Sequence, residues 1–330
     1  MTSWKSLLKK DPVEWLLDKE NPSVRYWTLK DILGKPEDDS EIINAKKEIM
    51  ISYPVIKILK NQNTKGFWIS VENPYTPKYK ATYHQLLILS ELGATLTEEI
   101  KKAIEIIFLN YQYNSGHFSF KIIKTDRGRK SKLTDGACLT GNILRALIHF
   151  GYLSDERTQK AINFLVKTHE NGWHCRAYPI DKGKVIPENC YMGGVKPVIA
   201  FSMIPEKERS KDITEIIKRE IEIYLENKIF IYLKNEKGER KAKPGWKRLG
   251  FPLFYQSDAL EVLDVLTNLG VKDERMGRAL DLILSKQDET GRWILENTFN
   301  GKMWVDIEEK RKPSKWITLK AVRVLKRVYG

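Results

Sequence analysis

The sequence predicts an all-α chain, an α/α toroid of about six helical hairpins around a central cavity. A Gly-aromatic turn returns four times, apolar residues run at helical spacing on both sides of each turn, and the distance between turns fits a pair of helices. The turns are Gly66-Phe67-Trp68, Gly116-His117-Phe118, Gly172-Trp173 and Gly291-Arg292-Trp293, with glycines 50, 56 and 119 residues apart. The last gap fits two units, so one repeat has diverged. Glycine supplies the positive φ that ends a helix and turns the chain, and the aromatic covers the exposed helix end. Gln62, Gln112 and Gln287 each stand four residues before the glycine, where an amide can bind loop backbone. These positions are expected to fasten neighbouring hairpins.

The elements follow in order. Asn21-Pro22-Ser23 opens a helix to Leu33, and a second runs over 40–59. Residues 82–92 end at Gly93, and Thr97 caps the next helix, 98–111. The segment 137–150 carries Leu139, Ile143, Leu147 and Phe150 on one face, and its partner begins after Asp155 with Ala161 and Leu165 inward. Helices over 190–203 and 210–224 form the diverged unit; 260–269 and 274–286 form the next. A last helix after Pro313-Ser314 carries Leu319, Val322 and Val324. An open solenoid shares this periodicity but needs polar terminal caps. Here the first and last helices are amphipathic, so the ring is expected to close and residues 1–330 to form one domain.

The chain has 57 Lys and Arg against 43 Asp and Glu, a net charge of +14. That excess suits anionic partners but is equally the mark of a Lys/Glu-rich soluble surface. No run approaches the ~18 apolar residues of a membrane span, and the start lacks a secretion signal's apolar core. A cytoplasmic protein is expected. Segments of low periodicity at 76–78, 121–132, 176–188, 234–249 and 296–312 each precede an inner helix, so they should gather at one end and form the working face. Two of them are basic, 121–132 and 240–248, and suit a phosphate-bearing ligand or an ordinary basic rim. Nucleic acid is the least favoured partner, since no recognised motif is present.

Candidate chemistry lies at helix starts on that face. Cys138, Cys175 and Cys190, with His174 or His117, are donors suited to zinc. Buried structural thiols are the alternative. Asp258 and Tyr255 stand before another inner helix, where Asp258 is either an N-cap or an acid at the cavity mouth. His84 is a further catalytic candidate. Tyr83, Tyr191 and Trp316 are placed to line a cavity that stacks or encloses an apolar ligand, and Gly193-Gly194 opens space for a ligand or for close packing.

The Gln…Gly-Trp units and their hairpins resemble the terpenoid cyclase and protein prenyltransferase toroid superfamily over most of residues 21–329. Cys138-Leu139-Thr140-Gly141-Asn142, Gly172-Trp173-His174-Cys175 and Pro313-Ser314-Lys315-Trp316-Ile317-Thr318-Leu319 carry a closer likeness to a prokaryotic branch of squalene-cyclase-like repeat proteins. The resemblance implies a ring that takes an isoprenoid. It does not bring the reaction, because the Asp-x-Asp-Asp acid of class II cyclases is absent and no His follows His174 to complete a prenyltransferase zinc set. The expectation is a toroid that binds or transforms an apolar or phosphorylated small molecule. The alternatives are a noncatalytic scaffold with a protein partner on the loop-rich face and a carbohydrate-processing toroid.

Overall fold

The computed structural model describes residues 3–129, 136–174, 190–234 and 238–330. Fourteen α-helices are present among them: α1 (Val13–Leu16), α2 (Pro22–Trp27), α3 (Ser40–Ile51), α4 (Tyr53–Lys60), α5 (Thr82–Glu91), α6 (Glu98–Tyr111), α7 (Asp126–Arg129), α8 (Ala137–His149), α9 (Glu156–Thr168), α10 (Tyr191–Ser202), α11 (Lys211–Glu226), α12 (Ala259–Asn268), α13 (Gly277–Ser285) and α14 (Lys315–Tyr329). Two short antiparallel pairs, Leu233–Lys234 with Arg240–Lys241 and Trp293–Ile294 with Pro313–Ser314, lie in loops. The all-α expectation holds, and the helices form the hairpin pairs of an α/α toroid.

Inner helices α2, α5, α8, α10, α12 and α14 form the ring, and α3 with α4, α6, α9, α11 and α13 back them. From α5 to α14 successive inner helices pack together, α14 returns against α2, and α2 meets the end of α5 through Trp27 Nε1, which donates to Glu91 O at 3.1 Å, closing the circle. The middle inner helices are buried nearly all round, as in α5, where every residue is buried, whereas α14 keeps a basic face. Outer helices bury one stripe, as in α6, where Ile100, Ala103, Ile104, Ile107 and Tyr111 face inward. Thr97, Asp155 and Ser210 cap their helices as side-chain acceptors. The expected single helix 40–59 is broken at Ser52, because Pro54 begins a new helix in its first turn. The first inner helix continues past Trp27 as a π turn over Thr28–Ile32.

The repeated turns act as fasteners. Gln62 Nε2 donates to Gly66 O at 2.9 Å and to Glu99 O of the next outer helix at 2.8 Å. Gln112 repeats this with Gly116 O and Arg157 O at the same distances. A Cβ on Gly116, which has φ +101°, would overlap the Lys160 carbonyl, so glycine is required there by both backbone and contact. Three of the four turns carry a tryptophan that closes its own outer helix: Trp68, Trp173 and Trp293 donate through Nε1 to Ile58 O, Leu165 O and Ile283 O. The fourth turn meets the amino-terminal strap instead, with Lys9 N donating to Gln287 Oε1 at 2.6 Å. In the diverged unit, the chain after α11 turns through Lys228 and Ile229 at positive φ rather than through glycine.

The inner seam is closed by charge. Arg323 of α14 donates to Asp264 of α12 and, at 2.6 Å, to Asp31 of the π turn, while Arg327 reaches Asp264 at 2.9 Å. Arg323→Ala strands the largely buried Asp31 carboxylate and leaves Asp264 to Arg327 alone, and urea unfolding should report a loss of about 3 kcal/mol. Lys5→Ala, which removes the exposed pair with Asp11, should change stability by less than about 1 kcal/mol. Equal effects would contradict this account of ring closure.

Candidate functional site

The loops between hairpins gather at the amino ends of the inner helices, as expected. Ile122 N donates to Glu72 O, Trp304 Nε1 to Lys80 O, Phe251 N to Asn297 O and Cys190 N to Trp173 O. This end is filled by aromatic side chains. Tyr79 stacks on Phe299 at 4.0 Å, and Phe251 on Trp316 at 4.3 Å with planes 8° apart. Between α5 and α8 they leave a pocket of about 40 Å³ lined by Tyr75, Tyr83, His84, Cys138, Phe254 and Tyr255 among others. Four residues singled out from the sequence therefore share one site: Tyr83, His84, Cys138 and Tyr255.

Their chemistry is muted by burial. His84 is 3% exposed, and burial pushes its imidazole down to about 3, helped by nearby Lys78, so it is neutral at pH 7. Among the described residues its Nδ1 and the Oδ1 of Asn142 have no hydrogen-bond partner. Tyr83 donates to Ser119 O at 2.8 Å, and the Tyr255 hydroxyl lies 3.4 Å from that of Tyr79 with Lys78 over its ring. Asp258 stands apart as the N-cap of α12, accepting from Glu261 N at 2.8 Å and Gly250 N at 2.9 Å. The capping alternative describes its geometry, since both oxygens are held by backbone donors.

The remaining candidates scatter. Tyr191 donates to Ile229 O at 2.6 Å and stacks on Tyr232, on the α10–α11 side. His174 lies at the surface beside Glu170. Cys175 falls outside the described residues, as do the 176–188 segment and part of the basic 121–132 segment. Among the described residues, no three of His, Cys, Asp and Glu converge in a group that would hold a metal. Cys190, which precedes α10, and Cys138 of α8 both border Gly193.

A larger site opens at the other end of the ring and reaches inward as far as the Phe251–Trp316 stack. There a cavity of about 310 Å³ is lined by residues from all six inner helices. Its wall carries Lys30, Asp31, Glu91, Arg145, Glu261, Asp264, Lys320, Arg323 and Arg327, and its apolar faces include Trp27, Phe251, Trp316 and Leu319. Trp316 is thus the one predicted cavity residue that reaches the central space. Last-turn residues of α5, α8, α10 and α12 surround this cavity, and carboxyl ends of helices carry partial negative charge. Bases answer that charge: Lys326 Nζ donates to Asp31 O and Ile32 O, and Arg327 to Asp264 O.

Most of the wall is paired. Arg145 bonds Glu91; burial works against the Glu91 carboxylate, but the Arg145 guanidinium outweighs it and holds the group below its usual range. Lys196, fully buried behind the wall, donates to both Glu261 oxygens at 2.8 Å and to Gln256 O. Lys30 pairs with Glu37. Among the described residues Lys320 makes no ion pair. Its ammonium sits 5.3 Å from the centre of the Phe251 ring and acts at longer range on Glu91, Asp258 and Asp264. Sequence reasoning missed this wall. The available signal was a lone charge inside an otherwise apolar inner helix, as with Arg145 in α8 and Lys196 in α10.

Asp258 gives the site a pH signature. Burial pushes it up to about 6 from an ordinary 3.8, against its two backbone donors. A carboxyl raised in the fold binds its proton more tightly folded than unfolded, so its contribution to stability is present below the ordinary value and fades as pH rises through the folded one. Asp258→Asn keeps a capping oxygen and removes the titration. Unfolding free energy of the native chain, measured relative to this variant, should fall by about 2 kcal/mol between about pH 4 and pH 6. A difference that stays constant across that window would refute the assignment.

No protein-family model matches the chain, and no curated protein matches it. Among solved structures it is similar to the type II terpene cyclase MstE from Scytonema in its apo form, at 14% identity over 82% of this chain and 94% of that chain, with a TM-score of 0.32. A variant of that cyclase in complex with its substrate geranylgeranyl dihydroxybenzoate is similar at 12% identity over 83% and 94% of the two chains, TM-score 0.32.

Proposed function

We propose that the protein binds a small amphipathic anion in its central cavity, with a phosphate or similar group on Lys320 and an apolar, isoprenoid-like body against Phe251, Trp316 and Leu319. The observation that carries this reading is Lys320, a cavity cation without a direct ion-pair partner among the described residues, placed beside an aromatic and aliphatic wall. The cavity volume of about 310 Å³ is at the lower end of small-molecule sites, roughly 300 to 1,000 Å³. The aromatic pocket at the loop-rich end, about 40 Å³, is too small for such a ligand. Its role in this reading is to seal the ring from that side. Asp258 serves by fixing the start of α12, and with it Glu261 and Asp264 in the cavity wall.

Apolar burial alone would favour a neutral hydrocarbon, but the paired charges around the cavity would then lose solvent without gaining a partner. A ligand with an anionic group avoids that cost at Lys320. Three probes separate the contributions: geranyl diphosphate, geraniol and inorganic diphosphate, each titrated calorimetrically. Geranyl diphosphate should bind tightest and weaken with added salt. Lys320→Met keeps the apolar stem and removes the charge, and a charge-assisted hydrogen bond of about 1.5 to 3 kcal/mol corresponds to a loss of roughly 10- to 100-fold in affinity. Geraniol should be unaffected by the substitution. Unchanged affinity for geranyl diphosphate in Lys320→Met would overturn the placement.

A further inference from the structure

The most extensive contact between two inner helices is that of α8 with α10. Gly141 makes it possible: a Cβ there would lie 2.5 Å from Pro197 N and 2.7 Å from the Lys196 carbonyl carbon. One turn toward the loop-rich end, the same seam brings Cys138 of α8 opposite Gly193 of α10. A Cβ on Gly193 would meet Cys190 Sγ at 2.8 Å and Cys138 Cβ at 3.9 Å. The absent side chain of Gly193 thus lets Cys190 Sγ lie against α10 on the side that faces Cys138. Cys190 sits at the N-cap of α10, and Cys138 in the first turn of α8.

Two features separate this pair from cysteines that merely fill a core. Both are half-buried rather than sealed, and Cys138 also lines the aromatic pocket that opens toward the loop-rich end. Both stand at the amino ends of long helices, where the aligned peptide dipoles favour negative charge, and the thiolate is the form that binds metal. Tyr75 and Tyr232 flank the pair closely enough for a thiolate on either cysteine to act on a phenol, beside the larger effect of burial. Sulfur donors select soft ions over oxygen-seeking ones.

We propose that Cys138 and Cys190 form a dithiol site that binds a thiophilic metal ion across the α8–α10 seam. Binding releases the two thiol protons and ties the amino ends of two inner helices together at the ring's loop-rich end. The site is separate from the central cavity and does not depend on what that cavity holds.

The test uses the full chain, reduced and titrated with Cd(II), read by the ultraviolet charge-transfer absorption of thiolate-bound cadmium. One ion per chain is expected, removable by excess EDTA, with the band lost in Cys138→Ser and in Cys190→Ser and kept in Cys175→Ser. A band that survives both of the first two substitutions, or that vanishes only with Cys175→Ser, overturns the assignment, as does the absence of a band in the native chain. Should the serine variants fail to fold, the native chain still decides. Bound Cd(II) should protect Cys138 and Cys190 from iodoacetamide, read by peptide mass spectrometry, and equal labelling with and without metal would refute the site.

Discussion

The ring depends on its last helix meeting its first. Arg323 of α14 stands between Asp264 of α12 and Asp31 of the π turn that extends α2, so one guanidinium joins the final, penultimate and opening elements of the inner layer. A largely buried ion group of this kind gains little over well-packed apolar residues, yet is costly to break from one side. Its value here is in specifying which helices are neighbours. Without α14 seated against α2, the central space would be an open groove. Lys320, Phe251 and Trp316 would then border solvent instead of a cavity.

Around this closure the two layers use different forces. The outer layer is held by repeated local contacts, in which a glutamine amide bridges its own turn and the next helix, a tryptophan indole closes the helix before it, and glycine allows backbone to touch backbone. The inner layer relies on nearly continuous apolar burial interrupted by charges that find partners across the ring. Lys196 with Glu261, Arg145 with Glu91 and Arg323 with Asp264 join neighbouring or near-neighbouring inner helices. The carboxyl ends of these helices would leave unsatisfied carbonyls around the cavity, and Lys326 and Arg327 answer several of them.

The architecture was legible because its signals are local. Gly66, Gly116 and Gly291 with their glutamines announce the turns, and Thr97, Asp155 and Ser210 announce helix starts within a few residues of the contacts they make. The gathering of loops at one end follows from the alternation of inner and outer helices, and Tyr83, His84, Tyr255 and Cys138 line one pocket there. Tyr191 was misleading because its helix-start position says which end of the ring it occupies but not which side of the helix it faces. The charged wall was hidden for a different reason. Glu91, Arg145, Glu261, Asp264 and Arg323 lie far apart in sequence, each resembles a surface charge on its own, and only ring closure brings them around one space.

That separation puts the charged wall at the end opposite the aromatic loops. A crystal of the protein soaked with geranyl diphosphate tests this most directly. Electron density for the diphosphate within hydrogen-bonding distance of Lys320 Nζ, with the hydrocarbon against Phe251 and Trp316, is the predicted result. Density confined to the loop-rich end, with Lys320 uncontacted, would contradict it.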